Sequence, residues 1–363
     1  MASALSGRSD AGSDELARSG GTSRFERDGE CHTGGGRSAV ASRPMGLTLY
    51  VDTAAWRATI DRVRRDFPDL IPVVKGNGYG FGRAFLAEQA AAFGATEVAV
   101  GTVFELGAIA HLPLRATVLT PSLDLDKVQV PESATLTVGS FAQLEHLVRY
   151  RPRGPVVLKT MTTVRRHGFD VGDIAAALDA LQSAGGVLHS VALHPPLAGS
   201  DDERRAEVEM LIDQLPDETA VTLSHLGSEH YARVRERYPK RRFAIRLGSV
   251  LWHGDKSTLV LRATVIDVHE VRGGERVGYR GVAVPSDGSI VILDAGTSHG
   301  VHPLANGDSP FHSSRRRLAL VEAPHMHVSL AFVPAGEPVP AIGDEVDVQR
   351  PLISTAVDRI AWL

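Results

Sequence analysis

Between residue 47 and about residue 257, short apolar runs alternate with amphipathic stretches, and this alternation restricts the fold more than any other feature of the chain. The runs Ile71–Lys75, Glu97–Gly101, Thr117–Thr120, Leu136–Val138, Pro155–Thr160, Val187–His194, Ala220–Leu223 and Arg242–Arg246 have the length and apolar content of strands buried on both faces. Between them, stretches such as Phe141–Tyr150, Val171–Ser183 and Asp202–Gln214 repeat apolar residues every three or four positions, as helices do. About eight βα units in roughly 200 residues predict a (β/α)8 TIM barrel. A doubly wound open sheet is the rival fold. It usually needs fewer strands, and no GxGxxG follows the first strand here.

From about residue 258 the period changes. Leu259–Val268 reads as β, and turn signals at Gly273-Gly274, Ser286-Asp287-Gly288 and Ala341–Asp344 separate later strands at Ile290–Leu293, His327–Phe332 and Glu345–Val348. The fold class is therefore α/β, with an N-terminal barrel over 46–257 and an all-β domain over 258–363. Residues 1–45 are rich in Ser, Gly, Arg, Asp and Glu and lack apolar periodicity, so a disordered tail is expected there. They also lack the apolar region of a secretory signal, and Met45, just before Leu47–Val51, is a candidate alternative start. A net charge of −4 leaves no basic surplus for nucleic acid. Cys31 is the single cysteine, so no disulfide framework is expected and a reducing cytoplasm fits. No apolar run reaches the ~18 residues of a membrane span, so no membrane partner is expected.

The run Pro72-Val73-Val74-Lys75-Gly76-Asn77-Gly78-Tyr79-Gly80-Phe81-Gly82 carries the strongest chemical signal. It puts a lysine at the C-terminal end of a strand, followed by a loop whose glycines let backbone approach a ligand closely. A partly desolvated ammonium loses basicity and becomes able to form a Schiff base or move protons. In a barrel, active sites gather at the C-terminal strand ends. Those ends carry Lys75, Lys159, His194, Ser224 and His225 with Ser228 close behind, and Arg246. Taken singly, Lys159 or Arg246 is equally a barrel-mouth ion-pair partner and His194 a satisfied core histidine. Their joint placement on one rim points to a site.

This lysine motif resembles that of the alanine racemase family, whose members are barrel enzymes that use pyridoxal 5′-phosphate (PLP). The resemblance runs in order from residue 47 to 363. It implies that Lys75 carries PLP, with Tyr79, Ser228 and the backbone of Gly248 and Ser249 around its phosphate and His194 among the cofactor contacts. Phe243-Ala244-Ile245-Arg246-Leu247-Gly248 is similar to the strand whose arginine faces the pyridine nitrogen; an arginine there donates a hydrogen bond and leaves that nitrogen unprotonated. Arg165-Arg166-His167-Gly168-Phe169 implies that Arg166 contacts the substrate carboxylate or the opposing tyrosine. Lys159 aligns with a lysine that is often carbamylated, or is a plain structural cation. Gly278-Tyr279-Arg280-Gly281 resembles the glycine-flanked catalytic tyrosine, which serves the partner subunit's cofactor, so a homodimer with shared sites is implied. A phenol's ordinary pKa near 10 needs nearby cations to make it an efficient base; Arg166, and His194 with Arg246, are the candidates.

Several positions depart from the family pattern. Its cysteine–methionine–aspartate run is His325-Met326-His327, which keeps Met326 near the substrate carboxylate. Its glycine–tyrosine–alanine–aspartate–glycine is Gly296-Thr297-Ser298-His299-Gly300, which lacks the tyrosine of the active-site mouth. Thr355 stands near where a phosphate-binding tyrosine is expected, Gly227 replaces an asparagine and Gly76 an alanine. The group His299, His302, His325 and His327 lacks companions at ligand spacing, and no metal is expected. The resemblance thus implies a PLP-dependent racemase that interconverts L- and D-alanine with Lys75 and Tyr279 as its two bases and supplies D-alanine for the cell wall. The alternatives are a racemase of another amino acid, a PLP-binding protein of cofactor homeostasis, and a decarboxylase or aldolase on the same fold.

Overall fold

The computed structural model describes residues 45–151 and 153–363; the tail expected over residues 1–45 lies outside them except for Met45. Strand β1 (Leu47–Val51) comes first, and α1 (Thr53–Asp66) follows, capped by the Asp52 carboxylate, which accepts from the Ala55 N–H at 2.9 Å. Then come β2 (Leu70–Pro72), α2 (Arg83–Ala92), β3 (Glu97–Val100), β4 (Arg115–Val118), β5 (Thr135–Val138), α3 (Phe141–Tyr150) and β6 (Pro155–Lys159). The barrel continues with α4 (Ile174–Ser183), β7 (Val187–Ala192), α5 (Asp201–Ile212), β8 (Val221–Leu223), α6 (Ser228–Arg237), β9 (Phe243–Leu247) and the short α7 (Ser249–Trp252).

Every pairing in the order β2-β9-β8-β7-β6-β5-β4-β3 is parallel, and the barrel closes where Val73 bridges Ala99, with the Val74 N–H donating to the Ala99 carbonyl at 2.8 Å. These are the eight runs read from the sequence, and the fold is the expected (β/α)8 barrel with a C-terminal β domain. Two of the connections are not α-helical. A 3-10 segment, Val103–Ile109, follows β3, and residues 119–134 after β4 contain no helix. Neither stretch offers an uninterrupted apolar period: Gly107, Pro113, Pro121 and Pro131 punctuate them.

The β domain is built on β10 (Leu259–Val271), a 13-residue strand. After the small hairpin β11 (Arg276–Val277) and β12 (Val282–Ala283) come β13 (Gly288–Leu293), β14 (Phe311–Ser313), β15 (Arg316–Arg317), β16 (Ala319–Leu320), β17 (Ser329–Pro334), β18 (Glu345–Val348) and β19 (Arg359–Trp362). One boundary needs correction. Leu47–Val51, assigned from sequence to the barrel domain of 46–257, pairs antiparallel with β10 and parallel with β19. Its local pattern is that of any buried strand, and only long-range pairing assigns it to a sheet.

Aromatic packing ties the barrel to this sheet. Trp56 on α1 lies 6.2 Å from Trp252 and 5.1 Å from Trp362 of β19. The Trp56 indole N–H donates to the Trp252 carbonyl and the Trp252 indole N–H to the Val73 carbonyl, both at 2.8 Å. Phe81, from the glycine-rich loop, stacks on Trp362 at 6.2 Å. The loop after Lys75 is pinned as well: Asn77 Nδ2 donates to the carbonyls of Leu352 and Thr355, each at 2.8 Å. Trp252 is fully buried. Trp252→Ala should therefore cost about 3–5 kcal/mol, read as a lowered denaturant midpoint, by loss of its burial and of the hydrogen bond that satisfies Val73.

Candidate active site

A cavity of about 900 Å³ opens at the C-terminal ends of the strands. Lys75, Tyr79, Arg166, His194, Ser228, Arg246, Gly248 and Ser249, all expected from sequence, line it together with Lys159. The barrel sets each position. Lys75 stands just past β2, Lys159 ends β6, His194 lies two residues past β7, and Arg246 is in β9. The turn after Lys75 is held by Glu105, whose carboxylate accepts from the N–H groups of Gly76 at 3.3 Å and Gly101 at 2.7 Å.

The cavity is strongly cationic. Arg246 is buried and donates to the Leu193 carbonyl at 3.2 Å; burial, with Arg166 adding to it, lowers its pKa to about 10, so it stays charged at neutral pH. Burial, then Arg246 and Arg166, pull Lys159 down to about 8. The Lys75 amine is also held below the ordinary lysine range, by burial first and then by Arg166 and Arg246, against an opposing pull from Glu105. Burial and the neighbouring His225, Arg246, Lys159 and Arg166 push His194 down to about 2, so its imidazole is neutral. Its Nδ1 lies 2.6 Å from Ser224 Oγ, and its ring is 4.4 Å from that of His225. His225 adopts φ 61 and its Nδ1 donates to the Pro195 carbonyl at 2.8 Å. His194 and Ser224 are thus hydrogen-bonded to each other within reach of the Arg246 charge.

The opposite wall is shaped for an anion. A Cβ on Gly248 would lie 1.9 Å from the Tyr79 hydroxyl oxygen, so glycine lets that hydroxyl reach the backbone entering α7. Tyr79 itself is buried, adopts φ 56 and, by burial, has its pKa raised to about 12, which keeps the phenol a donor. Gly227 rather than Ser228 caps α6 and has no side chain to offer, which leaves the first N–H groups of the helix to Ser228 and its successors. The Gly227 departure has a steric correlate: a Cβ there would come within 2.6 Å of Asp201 Oδ2. Asp201 is in turn paired with Arg204, which Asp201 Oδ1 meets through Nε at 3.1 Å. A cationic pocket, a lysine of lowered basicity and a hydroxyl-and-amide cradle fit a phosphate-bearing aldehyde such as PLP.

Three expected residues do not line this cavity. Thr355 is fully buried, and its hydroxyl donates to the Pro351 carbonyl at 2.9 Å, so it does not supply the shorter phosphate hydrogen bond expected of it; Ile353 lines the cavity instead. Tyr279 and Met326 sit on the β domain, 89% and 67% exposed. Of the remaining histidines, His299 Nε2 pairs with Asp358 at 3.1 Å and His327 Nδ1 meets Ser298 Oγ at 3.1 Å. Among the described residues there is no group of three or more His, Cys, Asp or Glu able to hold a metal, and no helix long and apolar enough to cross a membrane. Glu105, Asp201 and Arg204 were not legible in advance, because each acts through a contact set by the fold rather than by a motif.

The profile described as "Alanine racemase, N-terminal domain" matches residues 51–255. The chain belongs to the alanine racemase family. It is a divergent member: an alanine racemase of Nitrosococcus oceani is 28% identical over 315 residues, which cover 81% of this chain and 82% of that protein. One from Mycobacterium tuberculosis is 26% identical over 262 residues, 64% of this chain and 67% of the relative. A solved alanine racemase from Bartonella henselae with covalently bound pyridoxal phosphate superposes with a TM-score of 0.67 at 16% identity, covering 88% of this chain and 100% of that one. A biosynthetic alanine racemase from Pseudomonas aeruginosa gives a TM-score of 0.64 at 19% identity, with coverage of 88% and 100%. PLP is the cofactor of this family.

Two outcomes follow from the geometry. Gly248→Ala should leave the protein folded but unable to retain PLP, seen as loss of visible absorbance after desalting, because the new methyl occupies the Tyr79 hydroxyl's position. Lys159 binds its proton less tightly in the folded protein, at about 8, than the free side chain does at 10.5. Between those values the unfolded chain binds more protons, so the stability of the cofactor-free protein rises with pH across that window. Lys159→Met should reduce that rise, to which Lys75 also contributes, and stabilise the cofactor-free protein at pH 7 by roughly 1–3 kcal/mol, read from denaturation near pH 7 and about pH 9.5.

Proposed function

We propose that this chain is a PLP-dependent amino-acid racemase, that alanine is its substrate, and that it supplies D-alanine. The observation that carries the reading is the placement of Lys75, its basicity lowered, and the buried Arg246, charged at neutral pH, in one cavity. Bound in that cavity, PLP supplies the electron sink that makes an amino acid's α-proton removable. Tyr79, Ser228 and the backbone of Gly248 and Ser249 would hold the phosphate. Arg246 would donate to the pyridine nitrogen and keep it unprotonated, which tempers the sink and favours return of the proton over side reactions. Arg166 would hold the substrate carboxylate.

Lys75 acts as one base, its basicity lowered by burial and by the nearby Arg166 and Arg246. Tyr279 acts as the other, on the opposite face of the substrate. Its 89% exposure and its place outside the cavity of its own chain support a two-fold dimer in which each Tyr279, with Met326 nearby, completes the partner subunit's site. Thr297 stands where the family pattern has its mouth tyrosine, so the rim is the part of the site most open to side chains larger than a methyl group.

Lys75→Ala should abolish the visible absorbance of bound cofactor together with turnover. Tyr279→Phe should keep that absorbance and lower kcat by about 10²-fold or more, the usual scale for a positioned acid–base group. Normal racemisation by Tyr279→Phe would contradict the two-base assignment.

A further inference from the structure

The side chain of Tyr279 is largely exposed, yet its surroundings hold it in one place. It sits in the turn between β11 and β12, where Gly278 has φ 73 and Gly281 φ 58. A single carboxylate grips that turn: Glu322 Oε1 accepts from the Tyr279 N–H at 2.8 Å and Glu322 Oε2 from the Arg280 N–H at 3.0 Å. The approach is so close that a Cβ on Gly278 would lie 2.3 Å from Glu322 Oε1. The phenol ring then lies over the imidazole of His325, with centroids 4.3 Å apart and planes 31° from parallel. His325 is fixed by the same carboxylate, its Nε2 lying 2.5 Å from Glu322 Oε1.

We propose that Glu322 and His325 form a brace that presents Tyr279 to the partner subunit's site, Glu322 by clamping the turn and His325 by carrying the ring. This rests on the racemase reading above, and it makes both residues positioning residues of that reaction. The Glu322 side chain is only 4% exposed. Burial alone would raise its pKa, but the hydrogen bonds from His325 and from the amides of Arg280 and Tyr279 outweigh it and hold the carboxyl below the ordinary range. An ionised carboxylate only accepts, so His325 Nε2 carries a hydrogen and the ring cannot turn without losing that bond. A tyrosine this exposed has little packing of its own to choose among its rotamers. A base must meet its proton within hydrogen-bond reach, and an error of about 1 Å can cost ~10²-fold in rate. The imidazole under the ring removes that freedom before the two subunits meet. The cysteine of the resembled pattern has no ring to offer at this position, so the brace is a feature of this chain's own sequence.

The test uses the full-length PLP-loaded protein with 3-fluorotyrosine in place of tyrosine, the Tyr279 resonance being assigned as the one missing in Tyr279→Phe. The brace predicts that this resonance is displaced from free fluorotyrosine by the neighbouring ring. It should move toward the free value in His325→Ala and stay displaced in His325→Phe, which keeps a ring but no Nε2. Glu322→Gln should move the same resonance and reports on the clamp where His325→Ala folds poorly. In turnover, His325→Ala should lower kcat by about 10- to 100-fold with the KM for alanine changed less than about twofold, and His325→Phe should recover most of the loss. An unmoved Tyr279 resonance in His325→Ala, or full kcat in that variant, would overturn the proposal. A wild-type protein that racemises no amino acid while the fluorine shifts behave as described would remove the racemase reading and leave the brace standing.

Discussion

Like charges brought together out of water repel, and at the mouth of this barrel Lys75, Lys159, Arg166 and Arg246 are brought together. The effects on one another are consistent in sign: each of Lys75, Lys159 and Arg246 has its pKa lowered by burial and by cationic neighbours. Folding therefore stores a cost here that an anionic ligand relieves. That cost explains why the rest of the molecule grips this region so firmly, and it explains the chemistry. A lysine that resents its proton is a nucleophile and a base; an arginine that keeps its proton at neutral pH is a fixed donor.

The grip comes from outside the barrel. Asn77 is tied to the carbonyls of Leu352 and Thr355, and Phe81, Trp56 and Trp362 form one aromatic contact between the lysine loop, α1 and β19. β1 closes the arrangement, since it lies between β10 and β19 in the sheet and leads directly into α1 of the barrel. The β domain is thus more than an appendage that carries Tyr279. It also fixes the loop on which Lys75 stands, so the two bases of the proposed reaction are set by one structural unit.

The barrel was legible because each of its strands is short, apolar and bounded by a helix or turn signal, and because reactive or charged residues fall at the C-terminal ends of five of the runs. The eight sites Lys75, Tyr79, Arg166, His194, Ser228, Arg246, Gly248 and Ser249 converge because each lies near or beyond the C-terminal end of a barrel strand. What escaped the sequence depends on contacts between distant segments. β1 reads like any buried strand, and only its pairing partners place it. Thr355 was expected to donate toward a phosphate, but Pro351, four residues away, takes its hydroxyl. Glu105 and Glu322 have ordinary surroundings in the sequence, yet Glu105 binds amides of two neighbouring barrel loops, Gly76 and Gly101, and Glu322 two amides of the Tyr279 turn. Gly227 was legible only as a departure until the structure showed Asp201 occupying the space of a side chain.

The central claim is that this cavity lets an amino acid lose and regain its α-proton on both faces. The most direct measurement is exchange of the α-proton of L-alanine in deuterated water with the purified, PLP-loaded protein, with the chirality of the product followed in the same samples. The account predicts deuterium at the α-carbon and accumulation of D-alanine toward an equal mixture. Retained protium and unchanged L-alanine, from a protein whose absorbance shows bound cofactor, would contradict it.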